Sequence, residues 1–246
     1  MIPITQDITW KTTTRSGTLT PPPEKRHGFD FWYSYGTFDT HKKPHYWDTE
    51  GTRHEIREWS PQHEVDIAID YLENNSGQRD NDKPFFMMMS MNPPHHPYSS
   101  LDDCMEVDYN LYKDKSLCEL LIRDNVDTTM LKAASAPYYF AQVTGVDREF
   151  GRLLETLDNL GLSDNTIVVF ASDHGETMCS HGLDDPKNSP YSESTDIPFL
   201  IRYPGKLEPG VKDLILSTPD IMPTVLGLSG LSNEIPDSLE DRKSVV

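Results

Sequence analysis

The residues best suited to chemistry in this 246-residue sequence directly follow two apolar runs. Asp173 and His174 come just after Val168-Val169-Phe170, and His95 comes shortly after the apolar run that ends at Met91. A carboxylate beside an imidazole can bind a divalent metal ion, although Asp173 could instead cap the next turn and His174 could pack structurally. His95 could act as a general acid or hydrogen-bond an anion, or it could be a surface histidine beside prolines.

A lysine and a further histidine follow the Asp173–His174 pair within a short distance along the chain. Lys187 could neutralise an anionic substrate as a compact positive charge, or it could simply be solvated. His181 lies between the pair and Lys187, and its position favours a structural role. The candidate functional residues are therefore Asp173, His174, His95 and Lys187.

The apolar runs are strand-length and nearly continuous. Pro84–Met91 and Thr166–Ala171 suit strands that are buried on both faces of a parallel sheet. Ile197–Tyr203 is a third strand candidate, and Asp213–Leu216 is a fourth. In such sheets, ligands bind beyond the carboxyl ends of the strands, where the candidate residues lie.

Helical patterns alternate with these runs. Ser60-Pro61 is typical of a helix start, with Ser60 as N-cap. Residues 138–160 carry an apolar face that includes Val143 and Val146, and Gly161 ends the helix. A last helix runs from Thr218 to about Leu228. The alternation predicts an α/β fold with a mostly parallel central sheet flanked by helices.

The charge balance limits the partners. The formal net charge is −18, which argues against nucleic acid or an anionic membrane as the main partner. An anionic substrate would need a local cationic pocket. No stretch is long and apolar enough to cross a bilayer, and no signal peptide is expected at the N-terminus of this chain, because it lacks an apolar core. The sequence leaves the localisation open.

Several ordered motifs together resemble the sulfatases, members of the alkaline phosphatase superfamily, in their bacterial form. The segments that carry the resemblance read NPPH at 92–95, VVFASDHGE at 168–176, KNSPY at 187–191, IPFLIRYPG at 197–205 and STPDIMPT at 217–224. The resemblance extends over about residues 26–240. It implies an alkaline-phosphatase-like fold and hydrolysis of sulfate esters, either aryl sulfates or sulfated carbohydrates.

The resemblance also implies roles for the four candidate residues. Asp173 and His174 would be two ligands of one divalent cation, usually calcium in this family, with magnesium or manganese as alternatives. Imidazole is a poor match for calcium, which prefers oxygen ligands, so the metal identity stays open. His95 would contact the sulfate or protonate the leaving oxygen. Lys187 would bind a sulfate oxygen and stabilise developing negative charge.

Other parts of the family pattern are absent from this sequence. The family's nucleophile is a formylglycine made from a C/S-x-P/A-S-R motif, and no cysteine here stands in that context. The paired aspartates that complete the family's metal site are also missing. We therefore expect residues 1–246 to be a partial sulfatase catalytic domain, incomplete at both ends, without the N-terminal third and the small C-terminal subdomain.

Loss of the nucleophile removes the covalent step, so we expect no sulfatase activity from this chain alone. Intact members of the family are often exported, but this sequence does not indicate whether its parent protein is. Two other readings stay open. The parent could be a phosphate or phosphonate ester hydrolase of the same superfamily, or the chain could be a non-catalytic remnant.

Overall fold

A computed structural model describes residues 21–35 and 40–236 of the chain, which divide into two units. Unit 1 contains residues up to Lys115 together with Pro137–Phe150. Unit 2 contains Ser116–Ala136 and the residues from Gly151 onward.

Helices make up most of the regular structure. In chain order the α-helices of the described residues are α1 (Ser60–Glu73), α2 (Glu106–Tyr109), α3 (Leu117–Leu120), α4 (Ala136–Asn159), α5 (Ser192–Thr195) and α6 (Thr218–Leu228). Short 3-10 turns occur at Pro23–Lys25, Leu131–Ser135, Ser163–Asn165 and Ser232–Glu234. Across the described residues, no helix has both the length and the apolarity needed to cross a membrane.

Helix α1 packs its apolar stripe into unit 1. Val65, Ala68 and Leu72 are buried, as their spacing of three and four residues predicts. The predicted N-cap is displaced by one residue, because Trp59 occupies the cap position and Ser60 is the first helical residue. Asn74 ends the helix in the left-handed conformation, which its short polar side chain tolerates.

Helix α4 is the longest element and confirms the predicted helix over 138–160. Val146 and Leu157 on the predicted apolar face are buried, whereas Val143 is exposed. Gly161 adopts a φ of 66° directly after the helix. The N–H of Leu162 then donates to the carbonyl of Leu157 at 2.9 Å, which closes a Schellman-type end that favours glycine.

The described strands form two antiparallel pairs. In unit 1, β1 (His45–Trp47) pairs with β2 (Arg53–Glu55). In unit 2, β3 (Val168–Ala171) pairs with β4 (Phe199–Arg202), and Val168 lies opposite Arg202. The strands expected at Thr166–Ala171 and Ile197–Tyr203 are thus present in shortened form. Among residues 21–35 and 40–236 no parallel pair occurs, so the predicted mostly parallel sheet is not found there.

Two further predicted strands are not strands in the structure. Pro84–Met91 and Asp213–Leu216 belong to no ladder among the described residues, and Ile215 is 96% exposed. An apolar composition makes burial favourable, but a strand also needs a neighbouring backbone that accepts and donates its hydrogen bonds. No described residue supplies that partner.

Candidate functional site

The loop after β3 carries two of the predicted site residues. Asp173 Oδ2 lies 3.7 Å from His174 Nε2, and the Asp173 side chain is 87% exposed while His174 is about one-third exposed. The backbone N–H of His174 donates to Asp173 Oδ1 at 3.0 Å, and Ser172 Oγ donates to the His174 carbonyl at 2.6 Å. These bonds fix both side chains at the carboxyl end of the strand.

The second ring nitrogen of His174 sets its chemistry. His174 Nδ1 lies 2.8 Å from the carbonyl oxygen of Gly175, and a carbonyl can only accept, so Nδ1 carries the proton. In the neutral ring, Nε2 then presents a lone pair towards the Asp173 carboxylate. A histidine held in this way by a backbone carbonyl is typical of metal-ligating imidazoles.

The Asp173–His174 pair fits two positions in the coordination shell of one divalent cation. One donor is a carboxylate oxygen and the other an imidazole nitrogen, and the two acceptors lie side by side at 3.7 Å without a hydrogen bond between them. Within the described part of the chain, no group of three or more His, Cys, Asp or Glu side chains could hold a metal. The described residues therefore fit part of a metal site.

Gly175 allows the loop to lie directly against the backbone of the α5 region. A Cβ placed on Gly175 would stand 2.1 Å from the carbonyl oxygen of Glu193, far inside van der Waals contact. The Gly175 N–H donates to the carbonyl of Ser194 at 2.8 Å. The glycine after the Asp173–His174 pair is therefore required by close packing.

The loop that carries Lys187 is organised by Asp185. One carboxylate oxygen of Asp185 accepts from the backbone N–H of Lys187 at 3.0 Å and from that of Asn188 at 2.9 Å. The hydrogen bond from the Asn188 backbone, followed by that from Lys187, lowers the pKa of the Asp185 carboxyl. The N–H of Thr177 donates to the carbonyl of Pro186 at 2.8 Å, so this loop is tied to the segment that follows the Asp173–His174 pair.

Glu193 is a buried carboxylate that joins three loops of unit 2. Its Oε1 accepts from Asn125 Nδ2 at 2.8 Å and from Arg123 Nη1 at 3.2 Å. Its Oε2 lies 3.3 Å from His181 Nε2, and the His181 ring stacks on Tyr191 at 3.6 Å. The hydrogen bond from Asn125, with smaller contributions that include His181, lowers the pKa of Glu193 to about 2. The carboxylate is therefore ionised at neutral pH.

A second ion pair supports the same loop. Lys132 Nζ lies 3.0 Å from Glu176 Oε1, and both side chains are less than one-fifth exposed. Glu176 Oε1 also accepts from the backbone N–H of Met178 at 3.2 Å. The segment that follows Gly175 is thus held through Glu176, by the Lys132 side chain from outside the loop and by a backbone hydrogen bond within it.

His95 belongs to unit 1 and lies in a loop that includes cis peptide bonds at Pro93–Pro94 and His96–Pro97. The backbone N–H of His95 donates to the Asn92 carbonyl at 3.0 Å, and His95 Nδ1 donates to the His96 carbonyl at 2.9 Å. Buried His41 donates from Nε2 to the carbonyl of His95 at 2.8 Å. The local backbone of His95 is therefore anchored within unit 1.

The structure brings together Asp173 and His174, and it links the Lys187 loop to them within unit 2. Sequence reasoning missed Glu193 and Asn125 as supporting residues, because nothing in their 68-residue separation signals a contact. His41 stands in no motif of the sequence, and no local pattern indicates its hydrogen bond to the His95 carbonyl. The structural role favoured for His181 agrees with its stacking and its place beside Glu193.

Comparisons with known proteins define the family. The sulfatase family profile matches residues 7–231. An endo-4-O-sulfatase of Bacteroides thetaiotaomicron is 65% identical over 221 residues, covering 90% of this chain and 44% of that protein. An ulvan-active sulfatase of Formosa agariphila is 36% identical over 228 residues, covering 89% of this chain and 42% of that protein. The chain belongs to the sulfatase family.

A solved structure agrees with this assignment. It comes from work on the metabolism of multiple glycosaminoglycans by B. thetaiotaomicron, is 64% identical, and superposes with a TM-score of 0.89. The match covers 91% of this chain and 46% of that one. The fold is thus the α/β fold of the alkaline phosphatase superfamily, as the sequence motifs predicted. The chain spans less than half the length of these relatives.

Proposed function

We propose that this chain carries the sulfate-binding and part of the metal-binding machinery of an enzyme that hydrolyses sulfate esters on carbohydrates. The observation that carries the proposal is the Asp173–His174 pair, 3.7 Å apart at the end of β3, with His174 oriented by the Gly175 carbonyl. Family membership supports the reaction class. The endo-4-O-sulfatase at 65% identity supports a sulfated oligosaccharide as the substrate.

Each candidate residue has a distinct role in the proposed reaction. Lys187 binds a sulfate oxygen through its ammonium group and stabilises the charge that develops there. His95 contacts the sulfate or delivers a proton to the leaving sugar oxygen. Asp173 and His174 hold a divalent cation, which when bound polarises the sulfate ester. Calcium is the proposed ion, with magnesium and manganese as alternatives.

In the complete catalytic domain we propose a mostly parallel central sheet, in which Pro84–Met91 and β3 are strands that end at the site. Residues 1–246 are the part of that domain with His95, Lys187 and the Asp173–His174 pair. Because no formylglycine motif occurs among these residues, the chain alone releases no sulfate.

Metal binding can be tested on the chain as it is. Calcium, magnesium or manganese is added, and the thermal unfolding midpoint is measured for the wild type and for Asp173→Asn. We expect at least one ion to raise the wild-type midpoint and the variant to lose that increase, since a ligand that binds only the folded state stabilises it. No response of the wild type to any of the three ions contradicts the metal assignment.

The reaction is tested in a chimera. The 221 matched residues of the B. thetaiotaomicron endo-4-O-sulfatase are replaced by the corresponding residues of this chain, and sulfate release from a sulfated glycosaminoglycan oligosaccharide is measured. We expect release, and we expect Lys187→Ala to lower kcat about 100-fold, the effect of losing one group that stabilises transition-state charge. Lys212→Ala is the matched control, because this exposed lysine lies outside the site.

Two results of the chimera experiment would contradict the proposal. One is a folded chimera that releases no sulfate. The other is a chimera that cleaves an aryl phosphate in preference to the corresponding aryl sulfate, which would favour the phosphate ester hydrolase instead. The unmodified 246-residue chain serves in the same assay as the control without a nucleophile.

A further inference from the structure

Unit 2 contains an open cavity of about 380 Å³ to which the proposed reaction assigns no role. Its volume lies within the range of about 300–1,000 Å³ that is usual for small-molecule sites. The lining combines one guanidinium, two carboxylates and one amide with an exposed apolar side chain. These residues are Ile122, Arg123, Asp124, Asn125 and Glu193. A cavity of this size and mixed lining suits a polar ligand that also has an apolar face.

Arg123 is the cation of this cavity, and a buried carboxylate orients it. Its Nη1 donates to Glu193 Oε1 at 3.2 Å, with the arginine side chain 60% exposed and the glutamate side chain 5% exposed. Hydrogen bonding, first of all from Asn125, lowers the pKa of Glu193 to about 2, so the anchor is ionised at neutral pH. A guanidinium has five N–H groups, and no other acceptor in the described part of the chain engages this one. Most of its planar fork is therefore available to an acidic ligand.

The neighbours of Arg123 decide which acidic ligand fits. Asp124 also lines the cavity, and its negative charge disfavours a small anion that is held by charge alone. A carboxylate accepts from hydroxyl groups, and Asn125 offers its Oδ1 as an acceptor while its Nδ2 donates to Glu193 at 2.8 Å. The side chain of Ile122, 79% exposed, can pack on the apolar face of a sugar ring. The set therefore fits a sugar that carries an acidic group as well as hydroxyl groups.

The cavity adjoins the loop of the proposed metal ligands through Glu193. The Glu193 side chain lines the cavity, while a Cβ placed on Gly175 would meet the Glu193 carbonyl oxygen at 2.1 Å. Gly175 directly follows the Asp173–His174 pair. One residue thus lines the cavity and contacts the loop that carries the pair. A carbohydrate chain with its sulfate ester at the pair could therefore place a neighbouring sugar in the cavity.

We propose that Arg123 binds the acidic group, a carboxylate or a sulfate, of the sugar next to the one whose sulfate ester is cleaved. This inference rests on the proposed function, and it makes Arg123 a residue that determines specificity. The chain as a whole carries a net charge of −18 and repels polyanions, so an acidic carbohydrate needs local cations where it docks. Lys187 is the proposed cation for the ester, and Arg123 is the cation for the neighbouring sugar.

Oligosaccharide binding to the chain tests Arg123 without any catalytic step. One probe is an unsulfated tetrasaccharide of alternating glucuronic acid and N-acetylglucosamine, and the other is a tetrasaccharide of galactose and N-acetylglucosamine 6-sulfate. Each is titrated into the 246-residue chain, and the backbone amide NMR signals of residues 122–125 report the Kd. We expect at least one probe to bind, and Arg123→Ala to weaken its binding at least about tenfold, because charged hydrogen bonds are lost. The probe that binds more tightly identifies carboxylate or sulfate as the preferred group.

Two further variants separate recognition by the guanidinium from general charge. Arg123→Lys keeps the positive charge without the planar fork, so we expect an affinity between those of the wild type and Arg123→Ala. Arg202→Ala is the matched control and should leave the Kd unchanged. Arg202 is a partly exposed arginine of unit 2 that also pairs with a carboxylate, that of Asp158 at 2.9 Å, but it lies outside the cavity. The thermal unfolding midpoint of each variant shows that it is folded.

Several results would overturn the inference. They are binding of neither probe, equal binding by the wild type and Arg123→Ala, and an equal loss of binding in Arg123→Ala and Arg202→Ala. Inorganic sulfate that shifts the same amide signals as strongly as the tetrasaccharides would also overturn it, because binding would then need charge alone. Binding that depends on Arg123, in a chain whose chimera releases no sulfate, supports the acidic-sugar site and counts against the proposed reaction only.

Discussion

Two apolar segments of the chain end at proposed site residues, but they are held in different ways. Thr166–Ala171 contains β3, which pairs with β4, and the loop beyond it is anchored through Gly175 and Glu176. Pro84–Met91 leads to His95 without any described pairing partner. The apolar composition predicts that both segments are buried strands. Among the described residues, however, only the first is hydrogen-bonded to a neighbouring strand.

This difference separates two conditions for a strand. Apolar content decides whether burial is favourable, and a second backbone decides whether the strand forms. The β3 end meets both conditions within unit 2, so the Asp173–His174 pair has a defined geometry. Among residues 21–35 and 40–236, the Pro84–Met91 end meets only the first, although its terminal loop is fixed locally by His41.

The largest expected effect comes from Gly175→Ala. The added Cβ would lie 2.1 Å from the Glu193 carbonyl oxygen and 3.0 Å from its carbon, so backbone has to move on one side or the other. We expect the free energy of unfolding of unit 2, measured by urea denaturation, to fall by about 3 kcal/mol, at the upper end for overpacking. The metal-induced rise in the unfolding midpoint should be lost as well.

Gly151→Ala is the matched control within unit 2. Gly151 lies inside α4, and a Cβ there meets no atom within 4 Å. Alanine is the better helix former, so the free energy of unfolding should rise by about 0.5–1 kcal/mol. Equal stability of Gly175→Ala and the wild type would show that the loop after β3 is not packed as described.

A smaller effect is expected from acid through Glu193. Hydrogen bonds, first of all from Asn125, lower its folded-state pKa to about 2 from an ordinary value of 4.5. A depressed carboxyl pKa stabilises the folded state above the unfolded-state value, and this stabilisation is lost as the pH falls from about 4.5 towards 2. We expect the urea midpoint of unit 2 to fall over that range, and to fall less steeply in Glu193→Gln.

Asn125→Ala gives an independent check on that acid response. Removing the main hydrogen-bond donor should bring the Glu193 pKa back towards its ordinary value and shift the loss of stability to higher pH. Arg53→Ala, which breaks an exposed ion pair with Glu55 in unit 1, should leave the profile of unit 2 unchanged. An acid profile that is identical in wild type and Glu193→Gln would remove Glu193 as the anchor of the three loops.

The sequence was sufficient for what depends on local pattern. The end of α4 at Gly161, the start of α6 at Thr218 and the polar cluster after Ala171 all follow from caps, glycine positions and periodicity. Local pattern was insufficient to predict contacts between segments that lie far apart along the chain. The antiparallel pairing of β3 with β4, and the contact of Asn125 with Glu193, depend on tertiary neighbours that leave no trace in local spacing.

The smallest expected effect of a substitution on stability at pH 4 is that of Glu64→Gln in unit 1, and Glu64 provides the opposite electrostatic case. Burial raises the pKa of Glu64 to about 8, although its Oε1 accepts a hydrogen bond from Tyr46 at 2.6 Å. A raised carboxyl pKa stabilises the folded state fully below the unfolded-state value of 4.5, and this stabilisation is lost as the pH rises towards 8. The wild-type free energy of unfolding should therefore fall across that window, with a slope that approaches about 1.4 kcal/mol per pH unit.

Glu64→Gln keeps the shape and the acceptor for Tyr46 but cannot ionise, so the slope should disappear while the stability at pH 4 changes little. Urea unfolding of the two proteins between pH 4 and 8, followed by a probe in unit 1, measures this difference. If the slope persists in Glu64→Gln, it originates elsewhere. If the slope disappears, Glu64 is neutral in folded unit 1, whereas Glu193 is ionised in folded unit 2. The two units then respond to pH in opposite directions, with unit 2 weakening first in acid and unit 1 weakening as the pH rises.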